Sequence, residues 1–283
     1  MRTCLAEQIA CPECRRPRAH KDSKTIVLRT LFGTVRLTSP RWHHCSCQPQ
    51  PTRTFCPLAA ALPERTTPEL RYLESKFAGL VSYGQSAELL AETLPLGRTL
   101  HASAVRLHTL ATGERLESEL GPEQPMFADG CQRDWDALPR PDQPLTVGLD
   151  GGYVHSSQQR CRRDGWFEVI AGKSVPTEGS AKCFGFVQTY DTRANVTLIT
   201  NYGERYQNGE TISSAFVESV VNQVISKRMV KKQQVRWAPK SAHLLLQVRT
   251  TVLNHELAAA FQRWYPAFLI SPESTTEPTE LAA

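Results

Sequence analysis

The sequence predicts a mixed α and β protein, of the α+β type, that begins with a small cysteine-rich β unit. Runs that alternate apolar and polar residues, typical of strands, occur at residues 25–37 and again at 145–188. Apolar residues at three- and four-residue spacing, typical of helices, occupy residues 69–120 and 212–264. At 283 residues the chain is long enough for two or three domains, each with its own core.

The charge distribution points to a polyanionic partner. The formal net charge is +5, and residues 1–60 hold ten Lys and Arg against three Asp and Glu. Residues 61–144 hold eight against thirteen, whereas residues 219–255 hold seven basic residues and no acidic one. Two basic segments around an acidic middle favour nucleic acid as the partner, although basic runs are also common on ordinary solvated faces.

The nine cysteines are expected to be reduced thiols or metal ligands. The N-terminal residues lack the apolar core of a signal peptide, and no run of the chain is long and apolar enough to cross a membrane. Without a secretory signal, cysteines do not usually form disulfides. We therefore expect a cytoplasmic protein with no membrane association.

Residues 1–60 are predicted to form a basic unit that resembles a zinc ribbon. Cys11 and Cys14 form a C-x-x-C knuckle, and Cys45 and Cys47 supply a second pair after a predicted hairpin over residues 25–37. Four thiolates arranged in this way suit tetrahedral Zn²⁺. The second pair is C-x-C, so His43, His44 and Cys56 remain alternative ligands. A small basic β unit with free cysteines is the other interpretation.

Residues 64–120 are predicted to be helical. Helices are expected at Glu69–Leu80, Ser86–Leu94 and Ala102–Leu120. The last two, with the turn between them, allow a helix-turn-helix. The segment is net acidic, however, and would neutralise few phosphates, so a plain helical packing or dimerisation unit is at least as good an interpretation. Residues 121–144, with five prolines, are predicted to be a linker.

A strand over Leu145–Val154 carries the residue on which the functional argument depends. Asp150 stands where a buried strand would carry a small or apolar residue, and a buried carboxylate needs a partner or a cation. A turn aspartate before Gly151 and Gly152 is the simpler alternative. Two more strands follow, one from Trp166 and one over Lys182–Gln188. Three consecutive strands with a carboxylate on the first are how a ribonuclease H-like fold begins.

A helix over Ile212–Met229 places an acidic side chain on an apolar stripe. Glu218 shares this stripe with Val221, Ile225 and Met229. A cation held jointly with Asp150 would satisfy Glu218, and so would a salt bridge to Arg228. A basic run predicted to contact DNA follows: Lys227, Arg228, Lys231, Lys232 and Arg236. A last amphipathic helix over Lys240–Trp264 closes a core predicted at 145–268, and residues 269–283 are expected to be disordered.

Five stretches of the chain resemble bacterial insertion-sequence transposases of the Kra type, which are DDE enzymes with a ribonuclease H-like core. The stretches are Asp150-Gly-Gly-Tyr-Val154, Phe167-Glu-Val-Ile-Ala-Gly-Lys-Ser174, Lys182-Cys-Phe-Gly-Phe-Val187, Asn201-Tyr-Gly-Glu-Arg-Tyr-Gln-Asn-Gly-Glu210 and Phe216-Val-Glu-Ser-Val-Val-Asn-Gln-Val-Ile-Ser-Lys-Arg228. The resemblance covers most of residues 10–268. It implies that Asp150 and Glu218 are the first and last catalytic carboxylates, holding Mg²⁺, and that the N-terminal part binds transposon-end DNA. It also implies a bacterial, nucleoid-associated protein.

The chain departs from the family where the second catalytic aspartate should lie. The family has a long segment between the third strand and the block at residue 201, and here only residues 193–200 stand there. We therefore expect a truncated ribonuclease H-like mixed sheet, an incomplete two-Mg²⁺ site and impaired cleavage and strand transfer. The alternatives are a non-catalytic DNA-binding fragment, which occupies transposon ends or pairs with an intact transposase or a second copy, and a decayed reading frame.

Overall fold

The computed structural model describes residues 9–47, 54–96, 100–120, 145–157, 165–176, 179–187, 219–230, 236–268 and 270. Within these ranges the protein is a mixed α+β structure with two three-stranded antiparallel sheets and seven helices. The chain divides into two compact units, Met1–Arg71 with Leu89–Leu100, and Tyr72–Glu88 with His101–Ala283. This division is coarser than the five-part organisation predicted from the sequence, which stays a prediction.

The first sheet contains the predicted hairpin, which is longer than the sequence indicated. Strands β1 (His20–Thr30) and β2 (Gly33–His43) pair antiparallel, and β3 (Thr54–Phe55) pairs with the end of β2. Gly33 opens β2 at a φ of 102°, in the region that favours glycine. The Thr30 hydroxyl fixes the turn by donating to the Gly33 carbonyl at 2.9 Å. The two long strands therefore return the chain to the point where β1 began.

Three helices follow the first sheet. They are α1 (Pro57–Ala61), α2 (Pro68–Leu80) and α3 (Tyr83–Thr93), and the last two lie close to their predicted bounds. Helix α4 (Ala102–Leu120) has the predicted bounds. None of the described helices combines the length and apolar character needed to cross a bilayer.

Helix α4 packs against a later helix, α6 (Pro239–Leu253), within the second unit. A Cβ atom at Gly113 would lie 2.5 Å from the Leu244 carbonyl oxygen, so only glycine allows this close approach. Two acidic side chains of α4 pair with side chains of α6. A carboxylate oxygen of Glu114 lies 2.9 Å from Lys240 Nζ, and one of Glu117 lies 3.0 Å from His243 Nε2. These contacts favour the packing unit over the helix-turn-helix as the role of α4.

The second sheet is formed by the three strands expected around Asp150. Strands β4 (Leu145–His155), β5 (Trp166–Pro176) and β6 (Lys182–Val187) follow the order β4-β5-β6 and are antiparallel. One face carries the buried side chains of Val154, Phe167 and Val169, which belong to the main core of this unit together with residues from helix α5 (Asn222–Val230) and from α6. Because Asp150 lies opposite Ala171, a member of the same cluster, the backbone register places Asp150 on this face.

The period-2 pattern of β4 is correct, but its large apolar residues point away from the core. Val147, Leu149 and Tyr153 are about half exposed or more. Two of the core-facing positions, Gly148 and Gly152, hold glycine instead. A Cβ atom at Gly152 would lie 3.4 Å from Ile225, so the absence of a side chain lets helix α5 approach the strand.

Helix α5 (Asn222–Val230) is the described part of the helix predicted at Ile212–Met229, and it has π-type hydrogen bonding. The buried Arg249 side chain donates to two of its carbonyl groups, from Nε to Val224 at 2.8 Å and from Nη2 to Gln223. A side chain that bonds helix carbonyls competes with the i→i+4 ladder, which is a common cause of irregular helices. Residues 212–218 lie outside the described residues.

The predicted final helix, Lys240–Trp264, is wrong as a single element. It is two helices, α6 (Pro239–Leu253) and α7 (Leu257–Trp264), separated where His255 has a φ of 60°. The break lets the Asn254 amide bond to β6: it accepts from the Cys183 N–H at 2.7 Å and donates to the Cys183 carbonyl at 2.8 Å. Helix α6 in this way covers the backbone edge of β6. Apolar periodicity alone could not predict the contact between Asn254 and β6.

Candidate metal centre

The first pair of cysteines lies on a tight reversal of the chain before β1. The Cys11 carbonyl accepts the Arg15 N–H at 2.9 Å, and the Cys11 N–H donates to the Arg16 carbonyl at 2.9 Å. Arg15 lies in the left-handed region, with a φ of 57°, which allows this short turn. Cys14 sits within the same turn. The reversal thus brings the two thiols of the C-x-x-C pair to one side.

The hairpin delivers the second pair to the same place. The register of β1 and β2 runs from Thr30 opposite Gly33 to His20 opposite Trp42. At the open end of the hairpin the His43 N–H donates to the Ala19 carbonyl at 2.9 Å. Since Cys14 precedes β1 and Cys45 follows β2, antiparallel pairing of these strands necessarily brings the two knuckles together.

The four thiols form a compact cluster. Their Sγ atoms all lie within 4.8 Å of one another, with 3.5 Å between Cys11 and Cys47 and 3.4 Å between Cys14 and Cys45. A disulfide would need about 2.05 Å, and all four cysteines are free. In a tetrahedral Zn–S₄ centre with bonds of about 2.3 Å, the sulfur atoms are about 3.8 Å apart. The cluster therefore has the chemistry and spacing to bind a metal such as zinc.

The hydrogen bonds within the cluster favour the thiolate state that a metal requires. The Cys47 backbone N–H lowers the pKa of Cys45 to about 6, and the Cys14 thiol contributes in the same direction. The Cys14 backbone N–H lowers the pKa of Cys11. The neighbouring thiols of Cys45 and Cys11 raise the pKa of Cys47 in the same cluster. The Cys47 thiol therefore keeps its proton and donates a hydrogen bond to its neighbours. A bound Zn²⁺ would displace this proton.

The three alternative ligands do not belong to this cluster. Within the described part of the chain the only group of three or more His, Cys, Asp and Glu side chains with metal-ligand spacing is the four cysteines. The centroid of the His44 ring instead lies 4.9 Å from the centroid of the Phe55 ring. The Arg18 guanidinium lies over the same Phe55 ring, 4.5 Å from its centroid. Cys56 is half buried and free. This aromatic contact ties β3 to the open end of the hairpin.

Only one carboxylate of the predicted magnesium site lies within the described residues, so the site stays a prediction. Asp150 is exposed, whereas the sequence led us to expect a buried carboxylate. Its Oδ1 accepts the Gly151 N–H at 2.8 Å. Glu218, the other predicted catalytic carboxylate, lies outside the described residues, as do Lys231 and Lys232 of the predicted DNA-binding run.

The described members of that run occupy different environments. Lys227 and Arg236 are exposed, whereas Arg228 is buried with 3% of its surface accessible. Burial in turn lowers the pKa of Arg228. Arg228 is therefore not part of a solvated basic face. No pattern in the sequence indicated this difference, because Arg228 belongs to the basic run and is not on the apolar stripe that ends at Met229.

We compared the chain with protein-family models, curated proteins and solved structures, and none of these comparisons gives a match. The fold and the cluster define the class of protein: a mixed α+β protein with a four-cysteine cluster that can hold a metal.

Proposed function

We propose that this protein binds DNA and descends from a DDE transposase, with binding rather than cleavage as its present activity. The observation that carries the proposal is the four-cysteine cluster at the open end of a basic hairpin. A structural Zn²⁺ there would fix a small β unit that has little core of its own. Such a unit can then present basic side chains in a fixed arrangement.

The charge of the hairpin supports a phosphate-rich partner. Residues 9–47 hold eight Lys and Arg against two Asp and Glu, and Arg41 is paired with Asp22. Five of the basic side chains are exposed: Arg15, Arg16, Lys21, Lys24 and Arg36. Exposed Lys and Arg neutralise backbone phosphates and release counterions, which gives salt-sensitive and largely sequence-independent affinity.

The second sheet supports descent from a ribonuclease H-like enzyme. Asp150 lies on the first of three consecutive antiparallel strands, on the face against which α5 packs. The Gly152 position, two residues from Asp150, is within contact distance of Ile225 and Val221. Glu218 precedes Val221 by three residues along the sequence, a spacing that would be about one turn of the helix predicted over Ile212–Met229. A shared Asp150–Glu218 site is therefore part of the proposal.

The same residues argue against efficient cleavage. DNA strand transfer by this class is a displacement at phosphorus that uses two divalent metal ions held by three carboxylates. Asp150 is the one carboxylate of that set that the structure describes, and the sequence has no second aspartate at the expected place. Hydrated Mg²⁺ gains little from so few carboxylates. We therefore assign no chemical step to Mg²⁺.

Binding to a labelled duplex tests the proposal. The duplex carries the terminal sequences of the DNA segment that encodes the chain, and fluorescence anisotropy is measured between 50 and 300 mM salt. We expect log K to fall linearly with log salt concentration and no cleavage with Mg²⁺. Cys14→Ser should weaken binding about tenfold or more, and Cys56→Ser, a free cysteine outside the cluster, should not.

Two results would change the conclusion. Mg²⁺-dependent nicking that Asp150→Ala abolishes would establish the enzyme in place of the binding fragment. Affinity that is independent of salt, or that survives Cys14→Ser unchanged, would remove the support for a DNA-binding zinc unit.

A further inference from the structure

The second unit contains a cavity lined by cations and hydrogen-bond donors. Its volume is about 380 Å³, within the range of small-molecule sites. The residues that matter for its chemistry are Tyr83, Arg106, Arg228, Arg236, Trp237 and Ser241. They come from the start of α3, from α4 and α5, and from the segment that leads into α6. No acidic side chain is among the described residues that line the cavity.

The most deeply buried cation of this cavity, Arg228, has no acidic neighbour among the described residues that line it. Arg228 is 3% exposed, and its Nε donates to the Ala78 carbonyl at 2.9 Å. The guanidinium lies over two aromatic rings, 4.9 Å from the centroid of Tyr83 and 5.3 Å from that of Trp237. Within the described chain its Nη2 has no hydrogen-bond partner. A buried charge with free donors is costly unless an anion completes the site.

Two further buried donors around the same guanidinium are also unsatisfied. The Tyr83 hydroxyl and the Trp237 Nε1 have no hydrogen-bond partner among the described residues. Their rings lie 6.4 Å apart, with Arg228 over both. Buried polar groups nearly always have partners. Arg and Trp side chains can only donate, so what satisfies them must supply acceptor atoms, and one group with several oxygen atoms could serve all three donors.

A second buried arginine shows what a satisfied guanidinium looks like in this unit. Arg249 is also 3% exposed, yet its nitrogen atoms donate to the carbonyls of Gly79, Gln223 and Val224. Among the described residues, only the Nε of Arg228 donates to a carbonyl group. Hydrogen bonds to carbonyl groups therefore do not explain the burial of Arg228.

The mouth of the cavity adds positive charge. Arg106 and Arg236 are exposed, and Arg106 Nη2 donates to the Ser241 hydroxyl at 3.2 Å. Three guanidinium groups, a phenol and an indole N–H around one space are suited to a tetrahedral oxyanion, for which Arg is the preferred partner. A carboxylate offers its acceptor positions in one plane, whereas the oxygen atoms of a phosphate point in several directions and suit donors that converge from different sides.

We propose that this cavity binds a phosphate group, with Arg228 at its base and Arg106 and Arg236 at its mouth. The phosphate comes either from a nucleic-acid strand inserted into the cavity or from a free nucleotide. Phosphates on the surface of a duplex cannot reach Arg228, because its side chain is buried. Only the strand source rests on the proposed function; capture of a free phosphate does not depend on it.

Isothermal titration of the full chain tests this site. The probes are inorganic phosphate, AMP, and a single-stranded oligonucleotide with and without a 5′-phosphate. Tyr83→Phe removes the hydroxyl donor and keeps the ring, and Trp237→Phe removes the indole N–H and keeps a smaller aromatic ring. We expect each to weaken phosphate binding about tenfold. The melting temperature of the free protein should stay the same or rise in Tyr83→Phe, whereas Trp237→Phe should lower it because buried volume is lost. Tyr153→Phe, an exposed tyrosine outside the cavity, should alter neither.

Each outcome decides something. Stronger binding of the 5′-phosphorylated oligonucleotide than of the unmodified one identifies a strand end as the source, and binding of AMP and phosphate alone identifies a free nucleotide. Binding by none of the probes, or binding that both Phe variants leave unchanged, overturns the proposal. A Cys14→Ser protein that loses duplex binding but keeps phosphate binding separates this site from the zinc unit.

Discussion

The Sγ atoms of Cys14 and Cys45 lie 3.4 Å apart although 31 residues separate the two cysteines along the chain. The separation is bridged by a single hairpin whose two strands have eleven residues each. Because the strands have equal length and pair along their whole length, with one irregularity between His20 and Asp22, the residues on either side of the hairpin are fixed next to each other. The four-cysteine cluster is thus a consequence of strand length as much as of cysteine spacing.

Metal removal should unfold the first sheet. Zinc binding supplies about 10–16 kcal/mol in zinc-finger peptides, which is more than a small β unit gains from its core. Elemental analysis should find about one Zn per chain in the wild type and none in Cys14→Ser. The same substitution should remove the Trp42 near-UV dichroism, because Trp42 is buried in this unit.

Cys56→Ser is the matched control for the metal prediction. Cys56 lies in the same unit and is free, but it is not one of the four clustered thiols. Zinc content and the Trp42 signal should be unchanged in this variant. A wild-type protein that carries no metal after expression in zinc-supplemented medium would contradict the assignment.

The ion pair across the hairpin should make stability depend on acidity. Arg41 donates to Asp22 from Nε at 2.7 Å and from Nη2, and this hydrogen bonding holds the pKa of Asp22 below its usual 3.8. A carboxylate with a lowered folded-state pKa stabilises the protein above the unfolded pKa and loses that contribution as pH falls through the folded value. Wild type should therefore exceed Asp22→Asn in stability at pH 6 and approach it below pH 3.8.

Urea unfolding at a series of pH values measures this difference. Arg41→Lys keeps the charge but loses the planar pair of donors, so it should reduce the pH-dependent part of the stability. Because both side chains are partly exposed, the total effect is expected to be small. A difference between wild type and Asp22→Asn that stays constant from pH 3 to pH 6 would contradict this account.

Arg249 should be among the most sensitive positions of the second unit. Its side chain satisfies the Gly79 carbonyl at the end of α2 and two carbonyls of α5. Burial, and then the charge of Arg228, lowers the pKa of Arg249 to about 10, so it remains charged at neutral pH. Arg249→Met leaves three acceptors without a donor and should cost about 3–5 kcal/mol of unfolding free energy.

Arg249→Lys distinguishes geometry from charge at this position. A lysine keeps one positive charge but cannot reach three carbonyls in a planar fork, so it should recover less than half of the loss. Chemical denaturation followed by Trp237 fluorescence measures both variants, since Trp237 is buried in the same unit. Full recovery by lysine would show that charge alone matters.

Local patterns in the sequence predicted much of the fold. The hairpin, the three strands around Asp150 and the helix at Ala102–Leu120 all follow from periodicity, and the four cysteines that could hold a metal follow from cysteine spacing. These features depend on neighbours along the chain, so a single sequence contains the needed information. The four-cysteine cluster needed one more condition, a hairpin of matched strands. The alternation of apolar and polar residues over residues 25–37 indicated such a hairpin as well.

Features that depend on contacts between distant segments could not be predicted. The break after α6 exists because Asn254 bonds to Cys183 on β6, and the burial of Arg228 depends on Tyr83 and Trp237. The outward direction of Leu149 reflects glycines that admit α5 on the opposite face. In each case at least one deciding partner (Cys183, Tyr83 or a residue of α5 such as Ile225) lies more than 70 residues away along the chain, and no local pattern encodes it.

Gly113 should be intolerant of even one methyl group. A Cβ atom there would lie 2.5 Å from the Leu244 carbonyl oxygen, and this neighbour is backbone, which cannot rotate away. We expect Gly113→Ala to lower the unfolding free energy by about 1–3 kcal/mol through overpacking, despite the higher helix propensity of alanine. Gly84→Ala is the control, since nothing lies within 4 Å of its Cβ position. That variant should be neutral or more stable by up to about 1 kcal/mol. Urea unfolding of both proteins decides the matter, and equal effects would show that helices α4 and α6 are not in close contact.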